Sequence, residues 1–363
     1  MNVLLNHVNA MPTKTWNHLG INDAGLNAEA PEFRPYAGEP LAALPAGVTV
    51  SEQAAPGPEP ETGMGAEAAG FVKENANTGV SLRVAPGVKV REPVRLDYLL
   101  SAENPAVADN VTVAAGEGSE VTVVMSCRSA GDAAGFHGGL TKLYAAQGAA
   151  IHLVQVQLLG DGCTHFDNVG ATADDDALID VVQAELGAEK SYSGVKARLN
   201  GAGSRLRLDT IYFGDRSRAL DFNYVADHVG RKTKCEISVA GALLDESEKT
   251  FRGTINFLRG AKRAKGRESE FNLLFSPKVR SRTAPLILCE EEDVEGQHAA
   301  STGKIDANRL FYLMSRGLSE TDAKKLLIEA QFRPVTDRIP DEGLRGAIMA
   351  YVKERLSKLE PMG

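Results

Sequence analysis

The chain has 363 residues, 43% apolar and 24% charged, with a formal net charge of −8. That length can bury a sizeable core, as one large domain or two to three smaller ones. The acidic balance argues against nucleic acid and anionic membranes as partners, since both need a basic face. Local basic runs exist, notably Arg259–Arg267, which reads as a solvated edge or interface. With 36 glycines and only 6% aromatics, the composition favours a repetitive β architecture over a compact α/β enzyme.

From the N-terminus, Met1–His7 has neither a basic start nor a long apolar run, so no signal peptide or membrane span is expected. Residues 1–70 read as a docking segment followed by a flexible linker. Trp16, the only tryptophan, is expected to pack on a neighbouring surface. Between Ala30 and Ala69 seven prolines, with many Gly, Ala and Glu, predict extended chain without a packed element.

From Phe71 the pattern becomes short strands of period two, punctuated by Gly, Asp, Asn and Pro. Val80, Leu82 and Val84 alternate with Ser81 and Arg83, and Val111, Val113, Val121 and Val123 obey the same rule. Ala150, Ala177 and Ser204 each lead into a strand at steps of 27 residues, the signature of a solenoid. A mainly β fold follows, a β-helix over 71–303 in which each turn supplies two or three strands that stack on the next. A β-sandwich remains the alternative, because Asp161-Gly162 and Asn200-Gly201 are each suited to a two-residue hairpin turn.

After Gly303 the period changes from 2 to 3.6. Ile305, Asn308, Leu310, Phe311 and Leu313 predict a helix that starts near Asp306 and ends with Gly317 at C′. Ser319 and Asp322 form a capping box for a second helix, and a third runs from about Asp341 to Leu356. Residues 304–363 are therefore expected to form a C-terminal α-helical bundle with a face free for a partner.

Four cysteines, at 127, 163, 235 and 289, form no CxxC pair. They give neither a zinc ribbon nor a disulfide framework, and the reducing cytoplasm is the expected compartment. Cys127 and Cys235 lie in apolar strands and read as core. Cys163 is followed by Thr164 and His165, neighbours that could lower a thiol pKa. Cys289, the acids Glu290, Glu291, Glu292 and Asp293, and His298 fall within ten positions. His298 could ligate iron, with Glu292 or Asp293 orienting its ring, whereas Cys289 can equally be a core residue. The Gly116-Glu-Gly118 and Gly201-Ala-Gly203 clusters lead into strands and leave no helix N-terminus for a phosphate, and no Walker A motif is present, so no nucleotide is expected to bind.

The stretch His298-Ala-Ala-Ser-Thr-Gly-Lys-Ile-Asp306, followed by Leu310-Phe-Tyr-Leu-Met-Ser-Arg-Gly317, closely resembles the C-terminal signature of the SufB/SufD family of iron–sulfur cluster assembly proteins. Glu292-Asp293-Val294, Phe251-Arg-Gly-Thr-Ile255 and Asn272-Leu-Leu-Phe-Ser276 are similar to further family motifs, as is the spacing of Asp221, His228 and Thr233. The resemblance covers roughly residues 100 to 356.

It implies a right-handed parallel β-helix with terminal helical parts, acting as a cytoplasmic scaffold without catalysis of its own. It also implies partners: a SufC-like ABC ATPase on the C-terminal helices, a SufB-like subunit or second copy of this chain on the β-helix, and sulfur donor proteins. A transient iron–sulfur cluster at the subunit interface is the implied cofactor. Carried over to this sequence, His298 occupies the SufD-type ligand position, with Cys289 and Cys163 as weaker candidates, and Leu310, Phe311, Tyr312, Arg316, Leu326 and Leu327 as the docking face. Ser276–Thr283, where a SufB-type Cys would lie, has none, which favours a SufD-like subunit. A SufB-like or homodimeric scaffold, a carbohydrate-active β-helix enzyme and a metal-free adaptor are the competing readings.

Overall fold

In a computed structural model that describes residues 1–15, 17–51, 53, 56–131, 133–304 and 307–358, the chain is dominated by two long parallel sheets. Trp16, Ile305 and Asp306 lie outside the described residues. The N-terminal part contributes β1 (Asn2–Val8), β2 (Ala24–Glu29), β3 (Val48–Val50) and helix α1 (Ala66–Asn75). One sheet then takes the even strands β4 (Thr78–Val84), β6 (Ala106–Ala115), β8 (Gly135–Ala145), β10 (Cys163–Ala173), β12 (Lys190–Leu199), β14 (Ala219–His228), β16 (Glu248–Phe257) and β18 (Arg280–Cys289). The other takes the odd strands β5 (Val94–Leu100), β7 (Glu120–Ser129), β9 (Ala150–Leu158), β11 (Leu178–Glu185), β13 (Arg205–Gly214), β15 (Lys234–Leu243), β17 (Ala264–Leu274) and β19 (Val294–Lys304).

Every pairing from β4 to β19 is parallel, so each turn of chain lays one strand in each sheet, and the sandwich of hairpins is excluded. The expected solenoid is present, with about eight turns. Its pitch in sequence is 28 residues from Ala150 to Leu178, 27 on to Arg205, 29 to Lys234 and 31 to Lys265. Inward residues of both sheets, among them Val113, Leu143, Val169, Val195, Leu208 and Phe251, form one continuous core.

Parallel sheets need cover on their outer faces as well, and the two ends of the chain provide it. The hairpin β1–β2 and α1 bury Val3, Leu5, Leu26, Met64, Ala68 and Val72 against Phe136, Leu140, Phe166 and Tyr192 of the even sheet. Here the structure departs from the linker expected over Ala30–Ala69, and from the strand expected at Phe71, which lies in α1. Residues Ala66–Asn75 are rich in good helix formers, and Gly63 meets Gly194 so closely that a Cβ on either would stand 2.0–2.3 Å from the other backbone. Arg252, buried on the outer face of β16, pins the segment by donating to Asp221 Oδ1 (2.6 Å) and to the carbonyls of Ile21 (2.5 Å) and Asp23 (3.1 Å).

At the other end lie α2 (Ala307–Ser315), α3 (Glu320–Thr336) and α4 (Glu342–Ser357). The Ser319 hydroxyl accepts from the Asp322 N–H at 3.1 Å, as the capping box predicts, and Gly317 has φ of 95°. The helices do not close on a core of their own. Ile328 and Phe332 of α3 and Leu344, Ile348 and Val352 of α4 pack on Val154, Val156, Val182, Ile211 and Phe213 of the odd sheet.

Candidate functional site at the open end of the solenoid

Strands β18 and β19 are the last of their sheets, and each is paired on one side only. The free side of each presents unpaired backbone N–H and C=O groups, a template for another strand. His298 lies in the middle of β19, exposed, and in register with Glu268 of β17. Register partners in parallel strands share a face, so His298 belongs to the row that faces the lumen and is bare only because no further turn covers it.

Beneath it the lumen is polar. Glu268 is buried, and that burial, reinforced by Glu270, pushes its carboxyl up to about 8, so it is protonated at neutral pH. Its oxygens stand 2.2–2.6 Å from where a Cβ on Gly253 would be, so the glycine makes room for the carboxyl. Beside it Lys249 Nζ lies 2.5 Å from Glu270 Oε1, both fully buried. Thr283 Oγ1 donates to the other Glu270 oxygen at 2.5 Å, and Lys249 donates to Thr283 Oγ1 at 2.9 Å. Burial holds the Lys249 ammonium below its usual range despite the Glu270 charge.

Cys289 ends β18, in register with the buried Phe257. It therefore sits in an inward row, as a core residue would, yet it is exposed because the row ends there. Its Sγ donates to the Glu291 carbonyl at 3.0 Å, in a recess of about 470 Å³ that Glu290, Glu291, Glu292, Ile287 and Gly296 also line. The recess does not include His298, so the two candidate ligands share an end of the solenoid but not a pocket. Glu292 and Asp293 occupy the turn before β19, where the Asp293 carbonyl accepts from Arg263 N–H at 2.5 Å. The carboxyl in register with the imidazole is Glu268, 30 residues upstream and marked by no motif.

Cys163 lies elsewhere, at the start of β10, with Sγ donating to Ala133 O at 3.2 Å. Burial pushes its thiol up to about 11, opposite to the lowering its neighbours suggested. Cys127 and Cys235 are buried core residues, as expected. Of the docking candidates, Phe311 (72% exposed) and Tyr312 (56%) on α2 and Leu326 (44%) on α3 are bare, as is Met314. Arg316 lies over the Tyr312 ring at 5.2 Å from its centroid, and Leu310 and Leu327 are half-buried.

Residues 98–331 match the family model described as SUF system FeS cluster assembly, SufBD core domain. The chain belongs to the SufBD family. It is 27% identical to the SufD iron–sulfur cluster assembly protein of Bacillus subtilis over 77% of this chain and 64% of that protein. To the SufD of Escherichia coli it is also 27% identical, over 66% of this chain and 57% of that protein. The SufB of B. subtilis matches at 22% identity over 78% and 60% respectively. The chain thus spans about 57 to 64% of the length of the SufD relatives. No described helix is long and apolar enough to cross a membrane.

Proposed function

We propose that this SufBD-family chain is a SufD-like, non-catalytic scaffold of the SUF system. Its open end pairs with a SufB-like subunit, and His298 supplies one ligand to a nascent iron–sulfur cluster completed by that partner. The exposed face of Phe311, Tyr312, Met314 and Leu326 receives a SufC-like ABC ATPase, and sulfur donor proteins supply the sulfur. The observation that carries this reading is His298 standing uncovered in the lumen-facing row of an unpaired edge strand. A cation bound there draws the proton from Glu268 beneath, turning a neutral carboxyl into a charged second ligand. A site with few thiolates holds a cluster weakly enough to release it.

The test is co-expression with SufB-like and SufC-like partners, followed by mass measurement and cluster content. His298→Ala should leave the complex intact and lower cluster yield several-fold. Unchanged yield would refute the ligand role, and failure to form a complex would refute the pairing. Cys289, exposed at the same end, favours a second reading, a homodimer in which this chain supplies its own thiolate. A dimer that holds cluster without another β-helix subunit, and loses it in Cys289→Ser, would replace the SufD-like assignment.

A further inference from the structure

Far from the open end, the solenoid encloses a second group of ionisable side chains. Asp109, His137, His165, Asp167 and Glu185 face the lumen, and all are buried. His137 and His165 are 28 residues apart and in register, so the repeat itself stacks them, while Asp109 is in register with Gly139, two positions past His137. In one row His137 is in register with His165; in the next, Gly139 lies between Asp109 and Asp167.

The two rings are parallel within 9°, with centroids 4.9 Å apart, while their Nδ1 atoms are only 2.9 Å apart. That combination requires the rings to meet edge to edge, so the in-plane Nδ1 positions point at each other. Both Nε2 atoms face carboxylates: His137 Nε2 lies 3.0 Å from Asp109 Oδ2, and His165 Nε2 lies 3.3 Å from Asp167 Oδ2 and 3.5 Å from Glu185 Oε2. None of these contacts is aligned as a good hydrogen bond, and Asp109, His137 Nε2, His165 Nε2 and Glu185 Oε1 all keep unsatisfied buried atoms. At 2.9 Å the two Nδ1 atoms share either one ring's proton or a bound cation, and the carboxylates beside both Nε2 atoms favour placing the ring protons on the Nε2 side.

Charge points the same way. Three carboxylates face two imidazoles, and among the described residues no lysine or arginine is ion-paired with any of the three. The missing side chain of Gly139 leaves a gap between the acids. A Cβ there would stand 2.6 Å from Asp167 Oδ1, 3.0 Å from Asp109 Oδ2 and 3.5 Å from His137 Cε1.

We infer that His137, His165 and Asp167, whose ligand atoms lie within 4.8 Å of one another, form a buried site for one divalent transition-metal ion, flanked by Asp109 and Glu185. Two bonds of about 2.1 Å at 90–110° would set the Nδ1 atoms roughly 3.0–3.4 Å apart, a few tenths of an ångström beyond their present spacing, with both rings turned so that their lone pairs converge on the ion instead of meeting head-on. Imidazole nitrogen with carboxylate oxygen suits Zn²⁺, Fe²⁺ or Co²⁺, and suits neither Ca²⁺ nor Cu⁺. The ion offsets much of the charge of the acids and ties two consecutive turns, at β8 and β10, together, so its role is structural. It holds whether or not the chain is a SUF scaffold.

The test uses the full chain without a histidine tag, as a His298→Ala/Cys289→Ser parent that lacks the open-end ligands. After chelation and reloading, the parent should retain about one Co²⁺ per chain through gel filtration. It should show visible bands of nitrogen and oxygen ligation without a thiolate charge-transfer band, and should melt at higher temperature when loaded. His165→Gln and Asp167→Asn should lose the Co²⁺. No retained Co²⁺, or retention unchanged in both folded variants, overturns the site and leaves a shared proton between the rings. Should the variants not fold, the parent's spectrum decides, and a thiolate band overturns the assignment.

Discussion

His228 is the clearest probe of the solenoid's interior. It closes β14 with its ring stacked on Phe257, centroids 4.8 Å apart, and its Nδ1 bonded to Thr233 Oγ1 at 2.7 Å. The adjacent Asp227 points the other way, to Asn256 at 2.9 Å and Lys196 at 3.4 Å, so no carboxylate supports an imidazolium. Burial alone lowers its pKa from 6.5 to about 4. The ring is neutral in the native state, and unfolding at acid pH takes up a proton. Its contribution is therefore fully present above pH 6.5 and is lost as the pH falls through 4. A shift of that size corresponds to about 3 kcal/mol in the acid limit, of which about 2 kcal/mol is lost by pH 5. Urea denaturation of wild type and His228→Leu at pH 7 and pH 5 isolates the effect, because distant titrations cancel in the difference. Wild type should lose about 2 kcal/mol more than the variant between the two pH values. Equal losses would mean that His228 is charged or wet in the native state.

Phe332 is fully buried between α3 and the odd sheet, so Phe332→Ala should cost about 3–5 kcal/mol in urea denaturation. A cost of about 1 kcal/mol or less, typical of an exposed site, would show that the C-terminal helices do not lean on the solenoid. Lys249→Met strips Glu270 of its cation and should destabilise by about 3–5 kcal/mol, while Glu270→Gln added to it should recover much of the loss. Additive losses in the double variant would refute the pairing.

Much of the fold could be read in the sequence where one face of a strand is buried and the other wet, as at Val80, Leu82 and Val84. The reading weakens where both faces are covered. In β9, Ile151 and Leu153 face the lumen core, but Val154 and Val156 face α3 and α4, so the apolar phase flips within the strand. Gln155 and Gln157 then fall on the inside, and Gln155 accepts from Gln183 at 3.0 Å. The same inversion hid His137, His165 and Glu185, although the 28-residue spacing of His137 and His165 matches the solenoid pitch and could have exposed them. Helix α1 was obscured by the prolines before it. His298 and Cys289 fall within ten positions and end up in the last turn, but sequence distance could not say that they lie in different sheets.

The two ends of the solenoid are treated differently by the sequence, and that asymmetry bears on how a partner is held. At the first turn, β3 runs antiparallel along β4 and closes that edge. At the last turn, among the described residues, no strand pairs with the free edge of β18 or β19. A solenoid left uncapped exposes its core and its backbone, and edge strands are ordinarily blunted by charge or proline. Strand β18 carries such devices in Arg280, Arg282 and Pro285, whose missing N–H weakens it as a pairing edge. Strand β19 carries almost none: between Glu295 and Lys304 it reads Gly-Gln-His-Ala-Ala-Ser-Thr-Gly, uncharged and without proline. Small residues let a second backbone approach closely, and a continuing sheet would place His298 over the neutral Glu268 and beneath whatever the next chain supplies. On the proposed reading, pairing and ligation are then one event, because the strand that invites the partner also carries the imidazole. A charge placed on β19 at Ala299→Lys, in register with Ser269 and so on the face opposite His298, would separate them: it should block the pairing while leaving the lone chain folded.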